Sequence, residues 1–277
     1  MSDKRILTVQ DISCVGQCSL TVALPILSAA GLETAILPSA VLSTHTGGFT
    51  GFTFRDLTED IPGIIAHWQK EGIKFNAIYT GYLGSAEQIA LVKQMCTALR
   101  SDESFVSVAD PAMADGGKLY TGFGSVFVEE MKTLTAAADI ILPNITEACL
   151  LTGTEYREAY DETYITELLA RLRSGGAKTI ILTGVGYTPD TTGVVVLEGD
   201  TPRYYRHKRF PRGCHGTGDV FASAFVGAYL RGKSAYDAAA IAADYTVKCI
   251  ENTVGDPDHW YGVKFEPVLQ YYIKRLK

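Results

Sequence analysis

One short stretch of the sequence is built for anion chemistry: Gly213-Cys214-His215-Gly216-Thr217-Gly218-Asp219. Behind it runs Val220-Phe221-Ala222-Ser223-Ala224-Phe225-Val226-Gly227-Ala228-Tyr229-Leu230, apolar, small and free of proline, which reads as a buried helix. A glycine-flanked turn that opens a helix presents unpaired backbone N–H groups, and the helix dipole adds positive potential there. Gly216 and Gly218 lack a Cβ and let the backbone approach a ligand closely. Asp219 has two readings. A carboxylate at a helix start is ordinarily a cap, worth about 0.5–2 kcal/mol. Beside an anion-binding turn it also suits phosphoryl transfer. The N–H groups would hold charge on the moving phosphoryl while Asp219 takes the proton of an attacking hydroxyl. The turn by itself leaves both open.

The elements that must position this turn are readable in order. Strand-like runs cover Ile6–Gln10, Thr34–Pro38, Asn76–Gly81, Phe105–Pro111, Asp139–Asn144 and Thr179–Gly184. Helical patterns cover Ser19–Ala30, Leu57–Glu71, Ser85–Leu99, Val126–Ala137, Thr146–Leu151 and Asp161–Ser174, with Ser85 as an N-cap and Gly153 as a C-terminal stop. Val194–Leu197 and Arg203–Tyr205 flank Glu198-Gly199-Asp200, a hairpin signal. Helices over 235–250 and 267–275 follow. Ser43–Phe52 is glycine-rich, dotted with aromatics and too irregular for a helix, which marks it as a candidate functional loop.

Such alternation implies an α/β fold with a mostly parallel sheet covered on both faces. Ligands of these sheets bind outside the carboxyl ends of the strands. The polar residues expected there are Asp11, Gly81-Tyr82, Asp110, Asn144 with Glu147, and Thr183-Gly184. One acid at a strand end is a common cap. Three acids at separate ends, Asp110, Glu147 and Asp219, suit a site for metal and phosphate.

The bulk properties narrow the classes. The 277 residues are 47% hydrophobic and 20% charged, as in globular proteins. A formal net charge of −6 argues against nucleic-acid binding, which wants a basic face. Neither a signal peptide nor a transmembrane run is apparent, so no membrane partner and a cytoplasmic location are expected. The six cysteines are scattered without metal or CxxC spacing and read as reduced, mostly buried thiols.

At this point the sequence resembles the pyridoxal kinases of the ribokinase-like superfamily, over almost the whole chain. Ser43-Thr44-His45-Thr46-Gly47 is similar to that family's Ser-Asn-His-Thr-Gly, and Tyr79-Thr80-Gly81-Tyr82 to its Leu-Thr-Gly-Tyr. Asp110-Pro111-Ala112-Met113-Ala114-Asp115 with Gly117-Lys118-Leu119-Tyr120 is similar to its Asp-Pro-Val-Met-Gly-Asp loop. Leu142-Pro143-Asn144-Ile145-Thr146-Glu147-Ala148 is similar to Thr-Pro-Asn-Gln-Phe-Glu-Ala, and Gly216-Thr217-Gly218-Asp219 with Phe221-Ala222 to Gly-Thr-Gly-Asp-Leu-Phe-Ala. Five matches in the right order make the resemblance specific.

The resemblance implies one ribokinase-like domain spanning residues 1–277, a three-layer α/β/α sandwich. It implies ATP-dependent phosphorylation of the 5′-hydroxymethyl group of a vitamin B6 vitamer (pyridoxal, pyridoxamine or pyridoxine), in a homodimer. Carried over, Asp219 is the base and Gly216, Thr217 and Gly218 the anion hole. Asp110, Glu147 and Asn144 position Mg²⁺, partly through water, with Asn144, Asp115 and Thr183 near the nucleotide. His45, Thr46 and Tyr82 line the pyridine pocket. A requirement for a monovalent cation such as K⁺ stays open.

One departure concerns Asp11, where many family members carry serine against the polar edge of the ring. The added charge suits a protonated ring nitrogen or the ammonium of pyridoxamine, against a plain local hydrogen-bonding role. Lys118, Lys208, Arg209 and Arg212 are candidates to neutralise nucleotide charge, against a solvated basic loop. The rival readings are a hydroxymethylpyrimidine kinase of the same superfamily and a non-catalytic ligand-binding homologue.

Overall fold

The computed structural model describes residues 4–210 and 213–277. Among these, nine strands form one sheet: β1 (Arg5–Val15), β2 (Glu33–Thr44), β3 (Phe54–Asp56), β4 (Ala77–Thr80), β5 (Val106–Ala109), β8 (Ile140–Ile141), β9 (Thr179–Thr183), β10 (Thr191–Glu198) and β11 (Thr201–Lys208). A separate two-stranded ribbon is made by β6 (Ala114–Asp115) and β7 (Lys118–Leu119). The order across the large sheet is β11-β10-β9-β8-β5-β4-β1-β2-β3. The pairs from β2 through β1, β4, β5 and β8 to β9 are parallel, and β3, β10 and β11 join antiparallel.

Parallel strands buried on both faces need helices on both sides. One face is covered by α2 (Ile61–Lys70), α3 (Ala86–Ala98), α4 (Ser125–Ala137), α5 (Ile145–Thr152) and α6 (Glu162–Ser174). The other is covered by α1 (Leu20–Ala29), α7 (Thr217–Leu230), α8 (Ala235–Thr253) and α9 (Leu269–Leu276). This is the three-layer α/β/α sandwich. Two of its ends follow the expected chemistry: Ser85 accepts from the Gln88 N–H at 3.2 Å, and Gly153 closes α5 at φ 66°.

Several boundaries move for local reasons. β1 does not stop at Gln10; a bulge between Gln10 and Ile12 carries it on to Val15, so Asp11 lies inside a strand. The irregular stretch after His45 returns as β3, which pairs Phe54 with Leu42. α2 starts at Ile61 instead of Leu57, with Pro62 in its first turn. The fifth parallel strand shrinks to Ile140–Ile141, because Pro143 and the cap at Asn144 end the ladder. The thiols are also less buried than expected: Cys149 and Cys249 are buried, Cys18, Cys96 and Cys214 half-buried, and Cys14 exposed. Among the described residues no helix is long and apolar enough to cross a membrane.

Candidate active site

The anion turn opens α7 as the sequence requires. Gly216 is the residue before the helix and sits in the left-handed region at φ 76°, ψ 4°. Its carbonyl accepts the first helical bond, from the Val220 N–H at 3.0 Å. The N–H groups of the first turn therefore have no intrahelical partner. The Thr217 hydroxyl donates to the Cys214 carbonyl at 3.3 Å and ties the turn together. The reason for glycine at 216 differs from the expected approach to a ligand. A Cβ there would stand 1.8 Å from the carbonyl oxygen of Gln17, so the crowding is internal. At Gly218 a Cβ would meet nothing within 4 Å.

Asp219 is the third residue of α7, and burial pushes its carboxyl up to about 7, with the charges of Asp110 and Asp11 adding to the effect. Backbone N–H groups of Ser19 and of Asp219 itself oppose the rise. Ser19 introduces α1 at φ 55°, ψ −130°, a backbone region that side chains rarely adopt. Among the described residues only Ser19 and Ala112 are non-glycine positions with positive φ, and both flank acids of the site. The Ala112 N–H donates to Asp110 Oδ1 at 3.1 Å. No signal in the sequence marks Ser19, because a dihedral angle has no residue signature when glycine is not used.

Asp110 follows β5 and Glu147 lies in the first turn of α5. Glu147 is held from two sides: Oε1 accepts from the Met113 N–H and Oε2 from the Asn144 N–H, both at 2.9 Å. Asn144 Oδ1 accepts in turn from the Glu147 N–H at 2.9 Å, which completes a capping box. Burial raises both Asp110 and Glu147, and the Glu147 charge raises Asp110 further. Three backbone N–H groups, of Asn144, Met113 and Ala114, oppose the rise at Glu147, and one, of Ala112, opposes it at Asp110. Tyr120, absent from the residues expected at the site, feels Glu147, Asp115, Asp110 and Asp219 together. None of the ion pairs among the described residues involves Asp110, Glu147 or Asp219.

That uncompensated acidity tests the fit of a divalent cation. No group of three or more His, Cys, Asp or Glu among the described residues is arranged to hold a metal directly. Both oxygens of Glu147 are already bonded to backbone N–H groups. Mg²⁺ keeps several of its waters and takes its other ligands from phosphates, so an acidic pair that acts through water suits it.

A second group gathers around Asp11, which is 5% exposed. Its Oδ2 accepts from the Ser13 hydroxyl at 2.8 Å, and the Ser19 hydroxyl also faces it. Burial raises Asp11, and these hydroxyls and His45 oppose the rise. The Tyr82 phenol is raised by burial and then by the charges of Asp11 and Asp56. His45 has both ring nitrogens engaged. Nε2 lies 2.6 Å from the Tyr261 carbonyl, and Nδ1 accepts from the Gly47 N–H at 3.0 Å. A carbonyl only accepts, so Nε2 carries the proton. What His45 offers a ligand is its ring, which packs on Phe49 and His215 at centroid distances of 5.0 and 5.3 Å. Thr46 is exposed on the loop next to it.

The remaining expected residues spread around the strand ends. Thr183 ends β9 and bridges to Asn144, its N–H donating to the Pro143 carbonyl at 2.9 Å. Both polar atoms of the Asn144 side chain are engaged, since Nδ2 donates to the Ala114 carbonyl at 2.8 Å. Asp115 is exposed at the tip of the β6–β7 ribbon and accepts from the Gly116 N–H at 2.8 Å. Lys118 lies on the same ribbon, whereas Lys208 ends the edge strand β11 and Arg209 follows it; Arg212 lies outside the described residues.

Comparison with known proteins shows the family of the chain. The family model for phosphomethylpyrimidine kinase matches residues 52–262. A Bacteroides thetaiotaomicron VPI-5482 protein assigned to the phosphomethylpyrimidine kinases and crystallised with pyridoxal is 38% identical. It superposes with a TM-score of 0.92 over 98% of this chain and 96% of that one. The pyridoxal kinase of Lactobacillus plantarum is 32% identical, with a TM-score of 0.89 over 98% of this chain and 97% of that one. A pyridoxine/pyridoxal/pyridoxamine kinase of Bordetella avium is 26% identical over 260 residues, 90% of this chain and 85% of that protein. The chain belongs to the phosphomethylpyrimidine kinase family, and its solved relatives above 30% identity include a pyridoxal kinase.

Proposed function

We infer that the chain is an ATP-dependent kinase that phosphorylates the 5′-hydroxymethyl group of a vitamin B6 vitamer. The observation that carries this reading is Asp219, a base-type carboxyl raised to about 7 in the first turn of α7, beside the Gly216–Gly218 turn and within reach of Asp110. A carboxyl near neutral pH is suited to accept a proton at working pH. The substrate hydroxyl attacks the γ-phosphorus in line, the new O–P bond forms as the bond to the ADP oxygen breaks, and Asp219 takes the hydroxyl proton. The unpaired N–H groups at the start of α7 hold the charge of the phosphoryl oxygens. Asp110 and Glu147 would hold Mg²⁺ through water, and the ion would supply charge neutralisation of the phosphates. Asp115 and Thr183 flank the nucleotide, with Asn144 setting the turn between them. Tyr82, Thr46 and the His45 ring face the pyridine. A cytoplasmic homodimer is the form expected.

The second reading, hydroxymethylpyrimidine phosphorylation, is favoured by the family model and by a Bacillus subtilis hydroxymethylpyrimidine/phosphomethylpyrimidine kinase 28% identical over 228 residues. Assays of pyridoxal, pyridoxamine, pyridoxine and hydroxymethylpyrimidine with ATP, with and without Mg²⁺, separate them. Turnover of a B6 vitamer that requires Mg²⁺ is expected. Turnover of the pyrimidine alone selects the second reading, and no turnover of any defeats both.

Asp11 is the residue proposed to set the vitamer. Its carboxylate is buried and held by hydroxyl donors, so a cationic group on the substrate finds a fixed partner. In Asp11→Ser the ratio of kcat/KM for pyridoxamine over pyridoxal is expected to fall about tenfold, one charge-assisted hydrogen bond. An unchanged ratio rejects the assignment.

A further inference from the structure

We propose that Gln17 is a positioning residue for the vitamer: its side chain clips the loop between α8 and Glu266 onto the substrate side of the site, where Trp260 of that loop forms the outer wall of the pyridine pocket. This rests on the kinase reading above, and it names residues that neither the transfer step nor the pocket expected from the sequence uses.

The loop leaves the end of α8 at Thr253 and returns at a single 3₁₀ turn, Glu266–Val268. Its base is anchored. Val263 and Phe265 are buried, the Tyr245 hydroxyl donates to the Phe265 carbonyl at 3.0 Å, and the Lys264 N–H donates to Thr253 Oγ1 at 2.9 Å. The tip, His259-Trp260-Tyr261, reaches two other segments. The first is the substrate-side loop. The Tyr261 carbonyl accepts from His45 Nε2, and the Trp260 ring packs on Phe49 at a centroid distance of 4.7 Å. A Cβ at Gly48 would stand 2.8 Å from the Trp260 ring, so glycine there admits the indole. The rings of Trp260, Phe49 and His45 thus follow one another inward, from 41% exposed at Trp260 to 5% at His45.

The second segment is the turn after β1, through Gln17. Gln17 Nε2 donates to both oxygens of Glu266, at 2.8 and 2.9 Å. A carboxylate only accepts, which fixes the orientation of the amide. Gln17 Oε1 is left to accept from His259 Nε2 at 2.8 Å. One side chain therefore spans the tip of the loop and its return. The packing behind it is close: a Cβ at Gly262 would stand 2.7 Å from Gln17 Cβ. The backbone of the same turn supports the rest of the site. A Cβ at Gly16 would stand 2.1 Å from the His45 ring, and the Gln17 carbonyl backs Gly216. Asp115, Asn144 and Thr183, the residues expected near the nucleotide, lie on the β6–β7 ribbon and at the ends of β8 and β9. A change confined to the Gln17 side chain therefore acts on the vitamer side, while its backbone keeps the anion turn in place.

The test compares Gln17→Glu, which sets a carboxylate against Glu266, with the double variant Gln17→Glu/Glu266→Gln, in which donor and acceptor exchange places. The single variant is expected to raise KM for the vitamer about tenfold, the worth of one charge-assisted hydrogen bond, with KM for MgATP within about twofold. The double variant is expected to recover to within about threefold of the wild type, because the pair is coupled. A vitamer KM within about twofold in the single variant, an equal rise for both substrates, or no recovery in the double variant overturns the proposal. A second readout needs no turnover. The chain has two tryptophans, and Trp68 on α2 packs against Phe75, away from this loop. In a Trp68→Phe background the emission therefore belongs to Trp260. Its quenching by acrylamide is expected to rise in Gln17→Glu and to return in the double variant, and quenching equal in all three overturns the clip. Should the wild type turn over no B6 vitamer, the kinase reading fails on that assay, and the Trp260 quenching still decides whether Gln17 holds the loop.

Discussion

Asp219→Asn is expected to lower kcat for B6 vitamers by ~10²-fold or more, the scale of a general base, while the Kd values of vitamer and nucleotide change less than about threefold. Asparagine keeps the shape and the start of α7 but cannot take the proton. The backbone N–H groups of the turn remain, so the loss falls on turnover and not on binding. Single-turnover rates and equilibrium titration measure the two separately. Equal losses in both would make Asp219 a binding group or a structural cap and remove it from the role of base.

The same substitution is expected to stabilise the ligand-free protein, and the sign follows from the direction of the shift. The Asp219 carboxyl is raised from 3.8 to about 7 in the fold, mainly by burial and then by Asp110. Its favourable contribution is complete below the unfolded value and is lost as pH rises through about 7. At pH 8 the fold therefore carries an ionised group it would rather keep neutral. Asparagine is neutral at every pH, so the gain in Tm is larger at pH 8 than at pH 5. A gain on the order of 2 kcal/mol corresponds to several degrees for a chain of this size. A Tm that falls, or a gain that does not grow with pH, would show that the carboxylate is satisfied in the fold and not strained toward its neutral form. An active site that holds Asp219 among Asp110 and Asp11 trades stability for a base poised near neutral pH.

How far the sequence reached depends on the kind of interaction. The parallel strands were readable because burial on both faces makes apolar runs, as in Ile6–Val9 and Ala77–Tyr79. The acids at their ends were readable because strand ends are where such folds bind. Asp110, Glu147 and Asp219 do come together, as their mutual effect on Tyr120 shows. The exact part played by Glu147 was present as a signal, since Asn144-Ile145-Thr146-Glu147 has capping-box spacing. β3 was not readable, because Phe54, Arg55 and Asp56 are all exposed and carry no burial pattern. The partner of His45 was out of reach for another reason: the Tyr261 carbonyl is 216 residues away and a backbone group has no side-chain signature. Nor does residue type announce that Ser19 would take a positive φ to face Asp219 and Asp11.

Gly216→Ala is expected to be the most damaging single methyl group that can be added to the site. Residue 216 lies at φ 76°, where an L side chain is strained by roughly 1–2 kcal/mol. The larger effect is steric. The new Cβ would meet a backbone carbonyl, that of Gln17, at 1.8 Å, and a backbone atom cannot rotate away as a side chain would. Either the segment from Gly16 to Ser19 moves or the first turn of α7 does. Both carry the site: the first presents Ser19 to Asp219 and Asp11, the second presents the anion turn and Asp219 itself. A displacement of about 1 Å is enough to cost ~10²-fold in rate. The variant is expected to lose at least that in kcat/KM and to unfold several degrees lower. Gly218→Ala is the contrast, because its Cβ meets nothing within 4 Å and alanine favours the helix. Its Tm is expected to match the wild type or exceed it, so any loss of activity there reports crowding of the ligand. If both variants unfold at the wild-type temperature, the contact between Gly216 and Gln17 does not constrain the turn, and glycine at 216 serves the ligand instead.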